Sequence, residues 1–155
     1  MQEIERLSQV VSIVEEHDYL EVSKLESLLK QAEKEYASYR EKIPQSLYSK
    51  DETLLYLDDV VKALQICVSE AVIRDDFNKQ LEAEGVKSIA EKLFAELQKI
   101  EDTASKELYV IVDGKATVSP AFTVMLKIAM LNKELNAAWA LLLMTVTLNL
   151  LRWHS

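Results

Sequence analysis

The chain has 155 residues and a formal net charge of −8. A chain of this length fits one domain, and it can bury about two thirds of its unfolded surface without disulfide or metal support. Most of the negative charge lies in residues 51–108. Because phosphate backbones are also negative, that part of the chain disfavours non-specific binding of nucleic acid. We therefore expect a single helical domain over residues 1–155 and regard nucleic acid as an unfavourable partner.

Glycine and proline are rare in this chain. The two glycines are Gly85 and Gly114, and the two prolines are Pro44 and Pro120. So few breaks predict a small number of long elements and favour an all-α fold. The single cysteine, Cys67, cannot form an intramolecular disulfide, and the acidic N-terminus does not resemble a secretory signal. We expect a reducing, cytoplasmic location.

The first two helices are predicted from the spacing of apolar residues and from their caps. The first runs from about Gln2 to Glu16, where apolar residues recur on one helix face. These residues are Ile4, Leu7, Val11 and Val14. Asp18 and Glu21 have the spacing of a capping box, in which side chains satisfy free backbone N–H groups. We predict that a second helix begins there and that Pro44 ends it.

A third helix is predicted to begin near Asp51 and to end at Gly85. Its apolar stripe follows steps of three and four residues. The stripe consists of Leu54, Leu57, Val61, Leu64, Val68 and Ala71. It weakens at the Arg-Asp-Asp sequence of residues 74–76, which predicts a kink or a new cap. Ser88 and Glu91 repeat the capping-box spacing, so a fourth helix is expected to begin at Ser88.

Residues 109–118 have a different pattern. Two short segments, YVIV and KATV, flank Asp113 and Gly114, a dipeptide that favours a tight hairpin turn. An isolated hairpin is marginally stable, so we expect it to pack against the helices or to pair with another chain. Ser119 and Pro120 then supply the residue types preferred at a helix N-cap and at the first helical position.

The last predicted helix extends from Pro120 to about Arg152. Residues 135–151 within it carry no charged side chain, so this part of the helix needs cover on every face. The complete prediction is an all-α fold. It is a bundle of five or six helices with a small β-hairpin, at about 109–118, before a long, apolar C-terminal helix.

Three kinds of cover fit the apolar segment: the other helices of the chain, a protein partner or second copy, and lipid. A membrane span usually needs about 20 apolar residues. The run from Ala137 to Leu151 is shorter and contains Asn149, so a membrane is the least favoured of the three. We expect a protein partner or self-association through the C-terminal helix. The residues predicted to contact the partner are Trp139, Leu143, Leu150 and Trp153.

No arrangement typical of an enzyme stands out in the sequence. Two histidines offer little material for a nucleophilic triad or a multi-histidine metal site. We expect no catalytic residue, no metal and no cofactor. A metal-dependent helical hydrolase is kept as an alternative because hard cations prefer carboxylates. Its candidate ligands are Glu15, Asp18, Glu21, Asp58 and Asp59.

The apolar helix and the acidic middle of the chain favour a non-catalytic protein that binds another protein. Size and acidity are typical of small helical inhibitors, immunity proteins and adaptors of bacteria and their mobile elements, which is an analogy of composition.

A second interpretation comes from residues 109–135, where a valine-rich hairpin around Asp113 and Gly114 precedes a helix opened by Ser119, Pro120 and Ala121. This order resembles the central region of some small terminase subunits of tailed phages and covers under a third of the chain. The resemblance implies an oligomeric, nucleic-acid-associated assembly subunit. The chain differs from such subunits in its net charge and in having no recognisable basic DNA-binding helix.

Overall fold

The computed structural model of the chain describes residues 3–101 and 108–133. This part contains five α-helices and one antiparallel hairpin, so the predicted combination of a helical fold with a small hairpin is confirmed. In chain order the elements are α1 (Glu3–His17), α2 (Val22–Glu41), a 3₁₀ turn (Gln45–Leu47), α3 (Glu52–Glu84), α4 (Val86–Glu101), β1 (Tyr109–Val112), β2 (Lys115–Val118) and α5 (120–133).

The long apolar C-terminal helix was predicted for a segment that lies mostly outside the described residues. The structure describes its first part as α5, whereas residues 135–151 are not described. All four predicted partner contacts, Trp139, Leu143, Leu150 and Trp153, also lie outside the described residues. Among the described residues, no helix combines the length and the apolar character that a membrane crossing requires.

Helix α3 is the central element of the described part, since it packs against α1, α2, α4 and β2. It begins where the sequence predicted, because the Asp51 carboxylate accepts the N–H of Leu54 at 2.9 Å and so caps the first turn. The Tyr39 hydroxyl donates to the same carboxylate at 2.9 Å, which ties α2 to the start of α3. Of the kink or new cap predicted at residues 74–76, the cap is wrong, because α3 continues through them to Glu84.

Two predicted capping boxes are also wrong. Helix α2 begins at Val22 after Glu21, and no side chain caps that end. The preceding turn is held instead by the Arg74 guanidinium, which donates to the carbonyl of Asp18 at 2.7 Å. Helix α4 begins at Val86, directly after Gly85, so Ser88 already lies inside the helix. Gly85 has φ of 84° and ψ of 161°, a conformation that glycine adopts without steric cost and that turns the chain within one residue.

The buried apolar side chains form two clusters. The large core joins α1, α2, α3 and β2 and contains Val10, Ile13, Val14, Leu25, Ala32, Ala63, Leu64, Ile66, Cys67, Ala71, Ala116 and Val118. The small core joins the C-terminal half of α3 to α4 and α5 through Phe77, Ile89, Leu93 and Leu131. Leu7 was predicted to share one apolar face with Val11 and Val14 but is 44% exposed, whereas Val14 is buried in the large core together with Val10 and Ile13.

The hairpin has the predicted two-residue turn. Asp113 and Gly114 both have positive φ, 53° and 77°, which matches the type I′ turn that this dipeptide favours. The strands pair Tyr109 with Val118 and Val112 with Lys115. Ser119 follows directly and caps α5, since its hydroxyl accepts the N–H of Phe122 at 3.3 Å.

Candidate functional site

A groove of about 480 Å³ lies where α1, α3 and β1 meet. We call it the β1 groove. Its lining combines apolar side chains, the backbone of β1 and three charged groups. The lining residues are Arg6, Leu7, Val10, Asp59, Lys62, Leu108, Tyr109, Val110 and Ile111.

The outer edge of β2 is closed by α3. In an antiparallel pair, alternate backbone N–H groups point away from the partner strand. On β2 these are the N–H groups of Ala116 and Val118, which donate to Gln65 Oε1 at 2.9 Å and to Ser69 Oγ at 3.2 Å. Gln65 and Ser69 are one helical turn apart, so their spacing along α3 approximates the two-residue spacing along the strand. The helix thus satisfies one edge of the hairpin.

Residues of β1 line the β1 groove, and the strand register shows which backbone groups of β1 are not bonded to β2. Val112 and Lys115 flank the two-residue turn and therefore exchange backbone hydrogen bonds, as do Val110 and Thr117. It follows that the N–H and C=O groups of Tyr109 and Ile111 point away from β2. Within residues 3–101 and 108–133, β2 is the only strand that pairs with β1. The edge therefore presents two donors and two acceptors beside the groove.

An ion-pair network forms the floor of the groove. Arg6 Nη2 donates to Asp59 Oδ1 at 2.8 Å and to Asp58 Oδ2 at 3.2 Å, and Lys62 Nζ lies 3.0 Å from the same Asp58 oxygen. Asp59 is only 3% exposed. The hydrogen bond to Asp59 is the main reason that the pKa of Arg6 is raised above its ordinary value. A buried carboxylate needs such a partner, so the network attaches α1 to the centre of the bundle.

The charged groups at the groove are paired with one another. The Arg6 and Lys62 side chains are 38% and 28% exposed, and the Asp58 side chain, which contacts both, is 32% exposed. With the buried Asp59, the two carboxylates balance the two cations.

The rim of the groove is apolar. Ile111 on β1 and Leu7 on α1, which both line the groove, are 55% and 44% exposed. Half-exposed branched side chains next to a strand edge are features of surfaces that bind another chain.

A second cavity, of about 690 Å³, lies at the turn between α1 and α2. Asp18, Glu21 and Asp75 line it together with Arg74, whose guanidinium is already bound to the carbonyl of Asp18. Arg74 also lies near Glu70, with 3.9 Å between Arg74 Nη1 and Glu70 Oε2. Burial raises the pKa of Glu70. These contacts hold the turn against α3 and account for the charged groups present there.

Cys67 lies in the large core near this second cavity. Its thiol is directed at the carbonyl oxygen of Val14, 3.7 Å away. Burial, with smaller contributions from Glu70 and Asp18, raises the pKa of the thiol to about 12. The thiol is therefore protonated and unreactive at neutral pH.

The structure does not bring the predicted carboxylates together. Two of them, Asp58 and Asp59, lie on α3 and form ion pairs with Arg6 of α1. The other three, Glu15, Asp18 and Glu21, lie at or near the α1–α2 turn. In the described part of the chain, no group of three or more histidine, cysteine, aspartate or glutamate residues is placed to hold a metal ion.

Comparisons with protein families, with curated proteins and with solved structures find no significant match to the chain.

Sequence reasoning found the hairpin but missed the β1 groove. The valine-rich strand and its turn were visible in the sequence, and they place an exposed edge somewhere on the protein. No sequence signal pairs Arg6 with Asp59, which lie 53 residues apart and come together only when α1 packs on α3.

Proposed function

We propose that this chain is a non-catalytic helical protein that acts by binding another protein, in the manner of an inhibitor, an immunity protein or an adaptor. The observation that carries the proposal is the β1 groove, where an edge strand, exposed apolar side chains and an ion-pair network line one cavity. Strand edges and apolar patches of this kind are recurrent docking sites for partner chains.

The apolar sequence of residues 135–151 supports the same proposal independently of the groove. A segment of this length without a charged residue gains stability only if its side chains are covered. We propose that Trp139, Leu143, Leu150 and Trp153 contribute to a partner interface, either with another protein or with a second copy. We also propose that the acidic middle of the chain contributes to binding and that the protein is cytoplasmic.

Site-specific photo-crosslinking tests the proposal. A photo-reactive amino acid is placed at Ile111 beside the groove or, as the control, at Glu33, an exposed position on α2. Each variant is expressed in the source cell and irradiated. We expect one discrete crosslinked protein from position 111 and none from position 33. Equal crosslinking from both positions, or none from position 111, would contradict binding at the groove.

The alternative function is an oligomeric assembly subunit that associates with nucleic acid. The described order of hairpin and capped helix, β1, β2 and α5, is the observation that favours it. Light scattering of the purified chain, followed by DNA-binding assays over a range of salt concentrations, tests this proposal. It requires a discrete oligomer and DNA affinity that falls steeply with salt. A monomer without such affinity would remove it.

A further inference from the structure

We propose that residues 135–151 pack one apolar face of a helix against α4 of the same chain and leave the opposite face for the partner protein. This inference rests on the proposed function and deepens it, because it divides the apolar segment between an internal contact and a partner contact. Three observations support it: an exposed apolar ridge on α4, the place where α5 ends, and the spacing of the apolar residues in the segment.

Helix α4 carries more apolar surface than the described residues cover. Ile89 and Leu93 are buried in the small core. Val86, Ala90 and Phe94 follow one another in steps of four residues, so they form a ridge on one side of the helix, which we call the α4 ridge. Ala90 packs against the small core, whereas Val86 and Phe94 are 36% and 64% exposed. Among the described α-helices, Phe94 is the most exposed large apolar side chain.

The described part of α5 ends close to α4. Leu131, in its last turn, is buried in the small core, to which α4 also contributes. The helix is described to residue 133, so residue 137 lies within about 14 Å of its end. As a helix, residues 135–151 would be about 25 Å long, and the 16 residues of α4 span about 24 Å. The segment therefore starts near α4 and matches it in length.

The segment has two apolar faces at helical spacing. Because an α-helix has 3.6 residues per turn, these faces lie about 180° apart. The inner face consists of Ala137, Leu141, Met144, Leu148 and Leu151. The outer face consists of Trp139, Leu143 and Leu150, with Trp153 just beyond the segment. Tryptophan is enriched at the centres of protein interfaces, so we assign the outer face to the partner and the inner face to the α4 ridge.

The connection through α5 favours α4 of the same chain over α4 of a second copy. A short tether holds two surfaces together at an effective concentration on the order of millimolar. The segment follows α5 directly, and α5 already shares the small core with α4. A second copy at micromolar concentration would therefore compete poorly for the ridge.

Thiol labelling tests the inference, because Cys67 is fully buried and leaves an introduced cysteine as the reactive one. The inner-face variants are Leu141→Cys and Leu148→Cys, and the outer-face variants are Leu143→Cys and Leu150→Cys. Each is treated with Ellman's reagent in buffer, at a protein concentration where light scattering shows a monomer. We expect the inner-face thiols to react at least about tenfold more slowly than the outer-face thiols, since they react only when the segment opens.

A substitution on α4 identifies the surface that protects these thiols. In the background of Phe94→Asp, Leu141→Cys and Leu148→Cys should react within about threefold of the outer-face variants, because a carboxylate disfavours apolar cover. Ala95→Asp is the matched control, at an exposed position on the polar side of α4, and should leave the tenfold difference in place. Circular dichroism should be unchanged for both aspartate variants.

Equal reactivity of the two faces, or protection of the outer face alone, would overturn the inference. Protection that disappears on dilution would assign the contact to a second copy, and protection that survives Phe94→Asp would assign it to another surface; either result would also overturn it. If the inference fails while crosslinking from position 111 captures one protein, the proposed function stands. If the inner face is protected while that crosslinking fails, the internal contact stands and binding at the β1 groove is wrong.

Discussion

The side-chain oxygen of Gln65 accepts the backbone N–H of Ala116 at 2.9 Å, which joins the middle of α3 to the outer edge of β2. Ser69 repeats the contact one turn later with Val118. Polar side chains of a helix thus replace a neighbouring strand. The hairpin gains both a packing surface and hydrogen-bond partners from α3, which explains how a two-stranded sheet persists in this fold.

Replacing Gln65 with leucine should destabilise the protein. Ala116 is buried, so its N–H would lose its partner without access to water. An unsatisfied buried donor costs about 1 to 3 kcal/mol. Urea denaturation of Gln65→Leu measures this loss. The matched control is Gln80→Leu at an exposed position of the same helix, which should change the free energy of unfolding by less than about 0.5 kcal/mol. If both variants lose the same free energy of unfolding, the hydrogen bond between Gln65 and Ala116 does not stabilise the protein.

Replacing Arg6 alone should lower the free energy of unfolding more than replacing Arg6 and Asp59 together. Arg6→Met leaves the Asp59 carboxylate buried without its main partner, at an expected cost of about 2 to 4 kcal/mol. We take values at the lower end because Arg6 is partly exposed to screening solvent. The double variant Arg6→Met/Asp59→Leu should recover more than half of that loss in chemical denaturation. Lys30→Met, at an exposed position of α2, is the control. Additive losses in the double variant would contradict this prediction.

Cys67 should resist thiol reagents until the protein unfolds. It is the single cysteine of the chain, it is fully buried, and its pKa is raised to about 12. Ellman's reagent should therefore react negligibly at pH 8 in buffer and completely in concentrated guanidinium chloride. Rapid labelling under native conditions would show that α1 opens readily from α3.

Glu70 should make the protein less stable as the pH rises. Burial raises its pKa in the folded state above the ordinary value of 4.5, so the folded state holds the proton more tightly than the unfolded state. The contribution of this group to stability is greatest below that ordinary value. It declines as the pH rises through the interval up to the folded-state pKa, and the full penalty is present above that pKa.

The variant Glu70→Gln isolates this contribution. It should have a higher free energy of unfolding than the wild type at pH 7, and the difference should disappear near pH 4. Glu26→Gln, at an exposed position of α2, should show no such pH-dependent difference. A variant less stable than the wild type at pH 7 would mean that the attraction to Arg74, 3.9 Å away, outweighs burial.

Local signals predicted the elements well and their caps unevenly. Ser119 caps a helix as predicted, and Asp51 caps the helix that was predicted to begin near it. The boxes at Asp18 and Ser88 failed because tertiary contacts set those boundaries. Arg74 holds the turn at Asp18, and Gly85 lets α4 begin two residues before Ser88.

Burial was harder to predict than helix formation. The stripe predicted for α3 covers one face, whereas the helix also buries Ala63, Ile66 and Cys67, since neighbours surround it on several sides. A single periodic pattern cannot indicate how many partners a helix will have. The β1 groove was missed for the same reason, because it exists only where α1, α3 and the hairpin meet.

Helix α3 contributes to both cores along its 33 residues, from Ala63 to Ala71 in the large one and at Phe77 in the small one. Its backbone amides therefore report on two separate opening events. If the small core opens, the C-terminal third of the helix can unwind while the remainder stays packed. Amide hydrogen exchange should consequently slow from Glu84 toward Leu64, and the free energy of opening along one helix would measure how strongly the two halves of the protein are coupled.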